Sequence, residues 1–470
     1  MKKITGLVVI LAVLVLGGYY VTGMFTEKKV KESIELVNRT NGIYVEVKNY
    51  DRGWFDSSAN LVWHFQFPNK QTSKMETTEF NMPLKVYHGP FMFTDDGMKV
   101  GMGYAHSMVQ MPDKNLKQMK ELFTDQSTAP TLNLSLFVNL IGKTSFNAAV
   151  PDFTLIAKKG GGKLDWDGLD SSIQISSDMK SFEGYFNIAG FTFSQKDISA
   201  KMEAVKTIYH LYENGDGLFL GSASVNFPSL LVKQGDKTLF ALSKFDMKSG
   251  STQDGDVINS DLSITLDKIV ANNETYGPGE LHFMLSNLDS KALARINELA
   301  QQAQNATEEE KKQLLVAMMP EVPKLLSHGA QIQIDPFSFK LPNGKIEGNL
   351  LISLPKGSFD NPFDMVRQIE GNGRLSVPAD LVREAMAESL AKTMMSNQLQ
   401  QAIAQQNNAN GIQPMDAKQQ AQDMVEKKLA TLVDKGLLTK EGNDYVIAFT
   451  LKDGKLMVNG APFNPAMMQF

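Results

Sequence analysis

Histidine is the side chain best suited to proton transfer at neutral pH, and this 470-residue chain has six. Three of them, His64, His88 and His106, fall within 43 residues. Converging imidazoles could hold a metal or pass a proton. A metal site would also want carboxylates at ligand spacing, and neither His-x-x-x-His nor His-Glu-x-x-His occurs. Ser177-Asp178-Met179-Lys180 and Ser389-Leu390-Ala391-Lys392 both match Ser-x-x-Lys, the spacing of a lysine-assisted serine nucleophile. The Ser-Asp-Asn and Lys-Thr-Gly elements that complete that chemistry are missing. Gly-x-Ser-x-Gly, the P-loop and Gly-x-Gly-x-x-Gly are absent too. Gly160-Gly161-Gly162, between Lys159 and Lys163, runs into Leu164-Asp165-Trp166-Asp167-Gly168. That context is a loop between strands, not a strand-to-helix phosphate cradle. With no cysteine there is no disulfide, thiol catalysis or Cys-ligated metal. The expectation is a non-enzymatic protein with no cofactor and no bound metal.

The elements that would position any site are mainly strands. Leu61, Trp63, Phe65 and Phe67 alternate with Val62, His64 and Gln66, and Leu132, Leu134, Leu136 and Val138 repeat the pattern. Ile173/Ile175, Phe191/Phe193, Ile332/Ile334 and Phe337/Phe339/Leu341 continue it. Turn clusters such as Asp95-Asp96-Gly97, Asn214-Gly215-Asp216-Gly217 and Asn343-Gly344 separate the runs. Hairpin after hairpin without intervening helices implies antiparallel sheet with one apolar face, which must curl, sandwich or take a ligand. Helical periodicity returns over 290–327, broken by Pro320 and Pro323, and over 378–405 and 416–435, with a Gln/Asn-rich linker between the last two. The predicted fold is mainly β with α: an N-terminal transmembrane helix, a long curled antiparallel body, and helices concentrated in the C-terminal half.

The first residues favour a membrane. After Lys2 and Lys3, no charge appears from Ile4 to Phe25, and Leu7, Ile10 and Leu14 lie in an unbroken apolar run. As a helix these 22 residues would span about 33 Å, close to the roughly 30 Å hydrocarbon core. Tyr19 and Tyr20 fall where such a helix leaves the bilayer. A cleaved signal peptide shares the layout, but the run ends in Gly17-Gly18-Tyr19-Tyr20, and Val21-Thr22-Gly23 is a poor cleavage site. The expected organisation is a membrane anchor over 1–25 and an amphipathic neck helix over 26–42. An antiparallel β body then covers 43–288, and an α+β part ending in a hairpin covers 289–470. A net charge of −5 gives no electrostatic reason to expect nucleic acid.

Three local patterns carry a resemblance. They are Arg52-Gly53-Trp54-Phe55 with the Asp56–Ala59 run, His88-Gly89-Pro90-Phe91, and Leu451 to Gly460 with its Asp453-Gly454 and Asn459-Gly460 turns. With the N-terminal apolar run, the chain resembles the YdgA/YihF-like family of Gram-negative bacterial proteins, end to end. The resemblance implies a single-pass inner-membrane anchor, a cytoplasmic N-terminus and a periplasmic body, with no assigned reaction. A looser architectural likeness is to AsmA-type envelope proteins, which pair an anchor with lipid-binding curled sheet. Read from the residues alone, the same motifs are structural. Gly53 turns a hairpin, Trp54 and Phe55 plug the end of the sheet, and His88-Gly89-Pro90 terminates a strand. Two functional expectations compete. One is a lipid- or hydrophobe-binding envelope protein whose apolar β groove includes Leu61, Trp63, Phe65 and Phe67. The other is a structural or assembly module working through envelope proteins or copies of itself. Twenty-five methionines fit ordinary core filling or a deformable acyl-binding surface.

Overall fold

The computed structural model describes residues 38, 43–68, 75–95, 97–304, 306–357, 365, 367–404 and 414–464. The expected anchor, the neck helix apart from Asn38, and the linker after residue 404 lie outside them. Among the described residues no helix is long and apolar enough to cross a membrane. The chain divides into two compact units. The first comprises Met1–Glu213 with Ala223–Ala241, the second Asn214–Ser222 with Leu242–Phe470.

Unit 1 begins as a meander of β1 (Ile43–Arg52), β2 (Asp56–Pro68) and β3 (Met75–His88). A ribbon of β4 (Phe91–Thr94) and β5 (Gly97–Val100) leads into β6 (Gly103–Gln110), which pairs with β3. Helix α1 (Asp113–Leu122) precedes β7 (Thr131–Val138) and β8 (Thr144–Val150). There follow β9 (Phe153–Ile156), β10 (Lys163–Trp166), β11 (Leu169–Ile175), β12 (Ser181–Ile188), β13 (Phe191–Gln195), β14 (Ile198–Met202) and β15 (Val205–Glu213). β16 (Phe219–Gln234) and β17 (Lys237–Asp254) each contribute residues to both units.

Hydrogen bonding orders one antiparallel ladder as β1, β2, β3, β6, β7, β8, β11, β12 and β15. A second runs β9, β10, β13, β14 and the end of β16. Neighbours are the same on both sides of a shared crease. β8 continues into β9, β11 reads back into β10, β12 into β13 and β15 back into β14, each across a two-residue break. The last apolar residue before each break and the first after it are three apart: Val150/Phe153, Trp166/Leu169, Ile188/Phe191, Met202/Val205. In an unbroken pleat, residues three apart face opposite ways, so the break lets each apolar set restart its alternation. Gly168 (φ 117°) and Gly190 (φ 123°) supply the backbone conformation. Ladder bonding survives at the crease, with Ala189 N–H donating to Gly168 O at 2.8 Å and Asp167 N–H to Gly190 O at 3.1 Å.

Helix α1 lies in the N-terminal half, apart from the helices concentrated in the C-terminal half. It buries none of its residues. The segment after it seals the free edge of β9, where Thr124 and Thr128 N–H donate to Ile156 and Thr154 O, both at 2.8 Å. Covering an open edge in this way removes a template for further strand pairing.

Unit 2 carries β18 (Val257–Ala271), β19 (Glu274–Tyr276), β20 (Gly279–Asp289), β21 (Gln331–Leu341), β22 (Gly344–Ser353) and β23 (Glu370–Pro378). It ends with β24 (Thr439–Glu441), β25 (Asp444–Lys452), β26 (Lys455–Val458) and β27 (Ala461–Pro462). The ladder is β18, β20, β21, β22, β23, β25, β26, β27, again antiparallel. Between β20 and β21 lie α2 (Ser290–Gln304), α3 (Glu308–Met318) and α4 (Glu321–Leu326), and α5 (Ala379–Ala404) and α6 (Pro414–Asp434) follow β23. Asp289 caps α2 through the Ala292 N–H at 2.8 Å, and Thr307 with Glu310 forms a capping box on α3. Pro320 separates α3 from α4, as proline should. The α2–α4 group packs on Ile258 and Leu288. The α5/α6 pair packs through Ala387, Val425 and Leu429 on Tyr445. In β21, Asp335 and Pro336 face the single residue His282 of β20, a bulge that keeps Ile334 and Phe337 on one face with Phe283 and Leu281.

A Cβ at Gly190 would overlap Met202 O, and φ there is left-handed. Gly190→Ala should cost about 2–3 kcal/mol, measured as a fall in the urea midpoint. Gly215→Ala, at a site with open space, should stay within about 0.5 kcal/mol.

Candidate functional site

The three clustered histidines do not converge. Ladder register puts His64 and His106 on one face of unit 1 and His88 on the other. His64 sits 3.8 Å from Glu46 and 3.4 Å from Glu79. His106 stacks on Tyr104 and Tyr87, with ring centroids 6.0 and 6.1 Å away. Asp95 gathers this patch. It accepts from Tyr87 Oη at 3.1 Å and lies 3.5 Å from Lys85 and 3.6 Å from His106. The Tyr87 hydrogen bond, then Lys85, hold its carboxyl below the usual range. Among the described residues no group of three or more His, Asp or Glu could hold a metal ion.

His88 is completely buried, with Ser57 Oγ 2.9 Å from its Nε2 and Trp54 O 3.4 Å from its Nδ1. A carbonyl oxygen only accepts, so Nδ1 carries the proton and Nε2 accepts from the Ser57 hydroxyl. A serine–histidine contact of this length suits an activated nucleophile, but a nucleophile must meet its substrate. Ser57 is 3% exposed and His88 0%. The pair locks β2 to β3 at the hairpin end, where His88 N–H also donates to Phe55 O at 2.8 Å.

The family-like motifs lie at turns and strand ends, with one correction to the reading of them. Gly53 N–H donates to Asp56 O at 2.8 Å and makes the turn. Trp54 and Phe55, however, are 59% and 55% exposed and do not plug the sheet end. His88 fills that place, because the sheet turns the two aromatics outward at the tip. A Cβ at Gly89 would overlap Gly101 O, so only glycine fits before Pro90. Asp453-Gly454 and Asn459-Gly460 have φ of 52°, 69°, 48° and 80°, the paired positive values of tight hairpin turns. The Ser177–Lys180 segment is the β11–β12 turn, Lys392 pairs with Glu388 on α5, and Gly160-Gly161 makes the β9–β10 turn.

The feature with chemical potential is the apolar face of unit 1. Directly paired residues share a face, so the register reads it off. One row is Ala105, Leu136, Phe146, Ile173, Gly184 and Tyr209. The next on one side is Gly103, Val138, Thr144, Ile175, Phe182 and Leu211. Beyond Ser107, Leu134, Ala148, Ser171, Phe186 and Thr207 on the other side comes Val109, Leu132, Val150, Leu169, Ile188 and Val205. The opposite face reads Asn133, Ala149, Asp170, Asn187, Lys206 and Ser135, Asn147, Ser172, Tyr185, Ile208, which is mostly polar.

This apolar face has a closed part and an open part. Across β1 to β3 it closes on itself: Val45, Ala59 and Leu61 are 2%, 6% and 4% exposed, with Trp63 and Met82 packed on them. The expected groove at Leu61 and Trp63 is therefore filled core, and the side chains of Phe65 and Phe67 lie outside those described. From residue 105 to 213 no apolar side chain is buried. Phe146, Ile173, Phe182 and Leu211 are half-buried, and Leu136 and Phe186 are 38% and 40% exposed. A row of neighbours covers each side chain laterally, while a second layer would bring it below the buried range. Tyr209 lies against Gly184, where a Cβ would meet its Oη at 2.6 Å. The ring thus spreads over a cross-strand glycine and keeps the floor low. Beyond the crease, Phe153 stacks on Trp166 at 6.0 Å, and the Trp166 Nε1 is shielded from solvent with no acceptor.

Unit 2 repeats the construction. Leu281, Phe337, Gly348, Leu375 and Ile447 form one apolar row, and Phe283, Ile334, Leu350, Gly373 and Phe449 the next. Leu375 and Ile447 are 39% and 38% exposed. A Cβ at Gly373 would lie 2.6 Å from Phe449 Cε1 and one at Gly279 2.5 Å from Phe339 Cδ2. The Leu132–Val138 and Ile173/Ile175 alternations belong to the open face. Phe146, Phe182, Phe186 and Leu169 were not singled out from sequence, though matching the phase of successive alternating runs would find them.

Burial lowers the pKa of His88, outweighing the Trp54 contact. The unfolded chain then takes up its proton near the ordinary value of about 6.5, before the folded chain does. His88 contributes stability above that pH and loses it as pH falls through the lowered folded value. Stability should drop between pH 7.5 and 5.5, and the His88-dependent part should vanish in His88→Gln. His88→Ala should cost about 2–4 kcal/mol at pH 7.5, because it leaves a cavity and an unpaired Ser57 hydroxyl. Urea unfolding of the three proteins at both pH values checks both expectations.

Comparison with known proteins bears on this geometry. Protein YdgA of Escherichia coli (strain K12) is 22% identical over 496 residues, covering 97% of this chain and 93% of that protein. No solved structure gives a significant match. A family model described as "Bacterial protein of unknown function (DUF945)" matches residues 1–466, and with nearly its whole length matched, the chain belongs to that family.

Proposed function

We propose that this protein binds the acyl part of a lipid against the apolar face of its sheet. The observation that carries the reading is the absence of any buried apolar side chain between residues 105 and 213, where six hydrogen-bonded strands present one largely apolar face. Folding normally covers such a face, since each half-exposed Leu, Ile or Phe forgoes part of the roughly 1.5–3 kcal/mol that burial brings. A linear hydrocarbon is suited to it, because rows of side chains offer long shallow contact. A ~16-carbon chain covered over half its methylenes gains about 6 kcal/mol at about 0.8 kcal/mol each. Because the glycine-backed rings are already laid flat, little of that gain is lost to rearrangement. The uncharged run Ile4–Phe25 supports an anchor in the inner membrane with the sheet on the periplasmic side. The site asks for no catalytic group and no cofactor. The alternative, an assembly module, has one observation in its favour: Leu315, Val316 and Met319 at the end of α3 are over 60% exposed.

Displacement of a fluorescent fatty-acid probe tests the reading. The protein should bind the probe with micromolar affinity, and Ile173→Asp, at the centre of the face, should weaken binding at least tenfold. Ser172→Asp, one residue along and on the polar face, should leave it unchanged. No probe binding, or equal loss in both variants, would refute the reading.

A further inference from the structure

Successive hairpin ends of unit 1 meet at one edge, and hydrogen bonds link them in sequence. His88 N–H reaches Phe55 O, Gly89 N–H reaches Met102 O, and Met102 N–H reaches Val138 O. The β7–β8 turn at Gly142 lies against Ser177 of the β11–β12 turn. Each of these ends displays large apolar side chains: Trp54 and Phe55, then Phe93 and Met98 on the β4–β5 ribbon, then Ile141, then Met179. Their exposures run from 55% to 78%. The ribbon is two-sided. Its Met92 is 1% exposed and packs on Tyr87 and Tyr104, while the Phe93/Met98 pair faces away.

We infer that this edge docks onto the surface of a phospholipid bilayer, with the hairpin tips entering the interfacial layer. Aromatic and long aliphatic tips on separate turns enter lipid without needing a matching surface, and Trp and Phe are suited to that depth. A bilayer is also within reach of this chain. The 22 uncharged residues of Ile4–Phe25 are joined to β1 by the 17 residues 26–42. Seventeen residues reach up to about 56 Å when extended. The apolar edge lies at the far end of β1, whose ten residues cover about 33 Å. An extended connector is long enough to let the edge touch the bilayer that holds the run, whereas the helix expected for 26–42 would span only about 26 Å and would fall short. The inference does not depend on acyl binding by the sheet, which could fail while the edge still docks.

Because the chain has no cysteine, one introduced thiol takes a label at a single place. The full-length chain is reconstituted into phosphatidylethanolamine/phosphatidylglycerol vesicles, with an environment-sensitive fluorophore on Ile141→Cys, on Phe93→Cys, or on Lys159→Cys in the β9–β10 turn. Labels at 141 and 93 should brighten at least twofold, shift to the blue, and be quenched by phospholipids brominated in the acyl chain. The label at 159 should do neither. If the labels at 141 and 93 behave like that at 159, the inference is wrong. It is also wrong if they are shielded without quenching by brominated lipid, which would assign the edge to a protein contact or to self-association.

Discussion

An antiparallel strand offers alternate side chains to opposite faces, so a sheet with an apolar face has to cover that face with something. The organisation of this protein follows from how it meets that constraint. Across β1 to β3 the face closes on Val45, Ala59 and Leu61. In unit 2, helices pack where Leu288 and Tyr445 lie. Elsewhere the cover is missing. The apolar rows from β6 to β15 hold no buried apolar side chain from residue 105 on, and in unit 2 Leu375 and Ile447 of the corresponding rows are exposed.

Maintaining an apolar face across this many strands needs corrections to the pleat. In unit 1 they come as a shared crease that interrupts four strand runs, with a glycine at positive φ, Gly168 or Gly190, at two of the four breaks. In unit 2 they come as bulges, where Ile334 and Phe337, three residues apart, pair with Phe283 and Leu281, two apart. Both devices act on the same quantity, the parity of the alternation. Glycines opposite Tyr209, Phe337, Phe339 and Phe449 let the rings lie down. A closed sandwich would gain by filling such space instead.

The alternation was legible because period two is a local property, and so were the hairpin turns and the proline-limited helices. The parity change between Ile332/Ile334 and Phe337/Phe339/Leu341 was in plain view and marks the bulge at Asp335-Pro336. Burial was not legible, because it depends on what stands over a face and period two carries no information about a second layer. Leu61 and Phe146 occupy equivalent positions in their strands, yet the first is core and the second half-open. Trp54 was misjudged for the same reason, since its turn directs the ring outward while the less conspicuous His88 seals the strand end. Helix α1 is short and mostly polar, and its one apolar stripe, Leu116, Met119 and Phe123, buries none of its residues, so the signal is brief.

Membership in a family of unknown function supplies no reaction; Ser57 and His88 are buried, and His64 and His106 lie on the face opposite His88. The account therefore rests on the open face. The most direct measurement places a photocrosslinking amino acid at Phe146 on the apolar face, or at Asn147 one residue along on the polar face, in cells grown with labelled phospholipid precursors. Lipid label captured at 146 and not at 147 is the expected result. Equal capture at both positions, or capture of protein alone at 146, would contradict it.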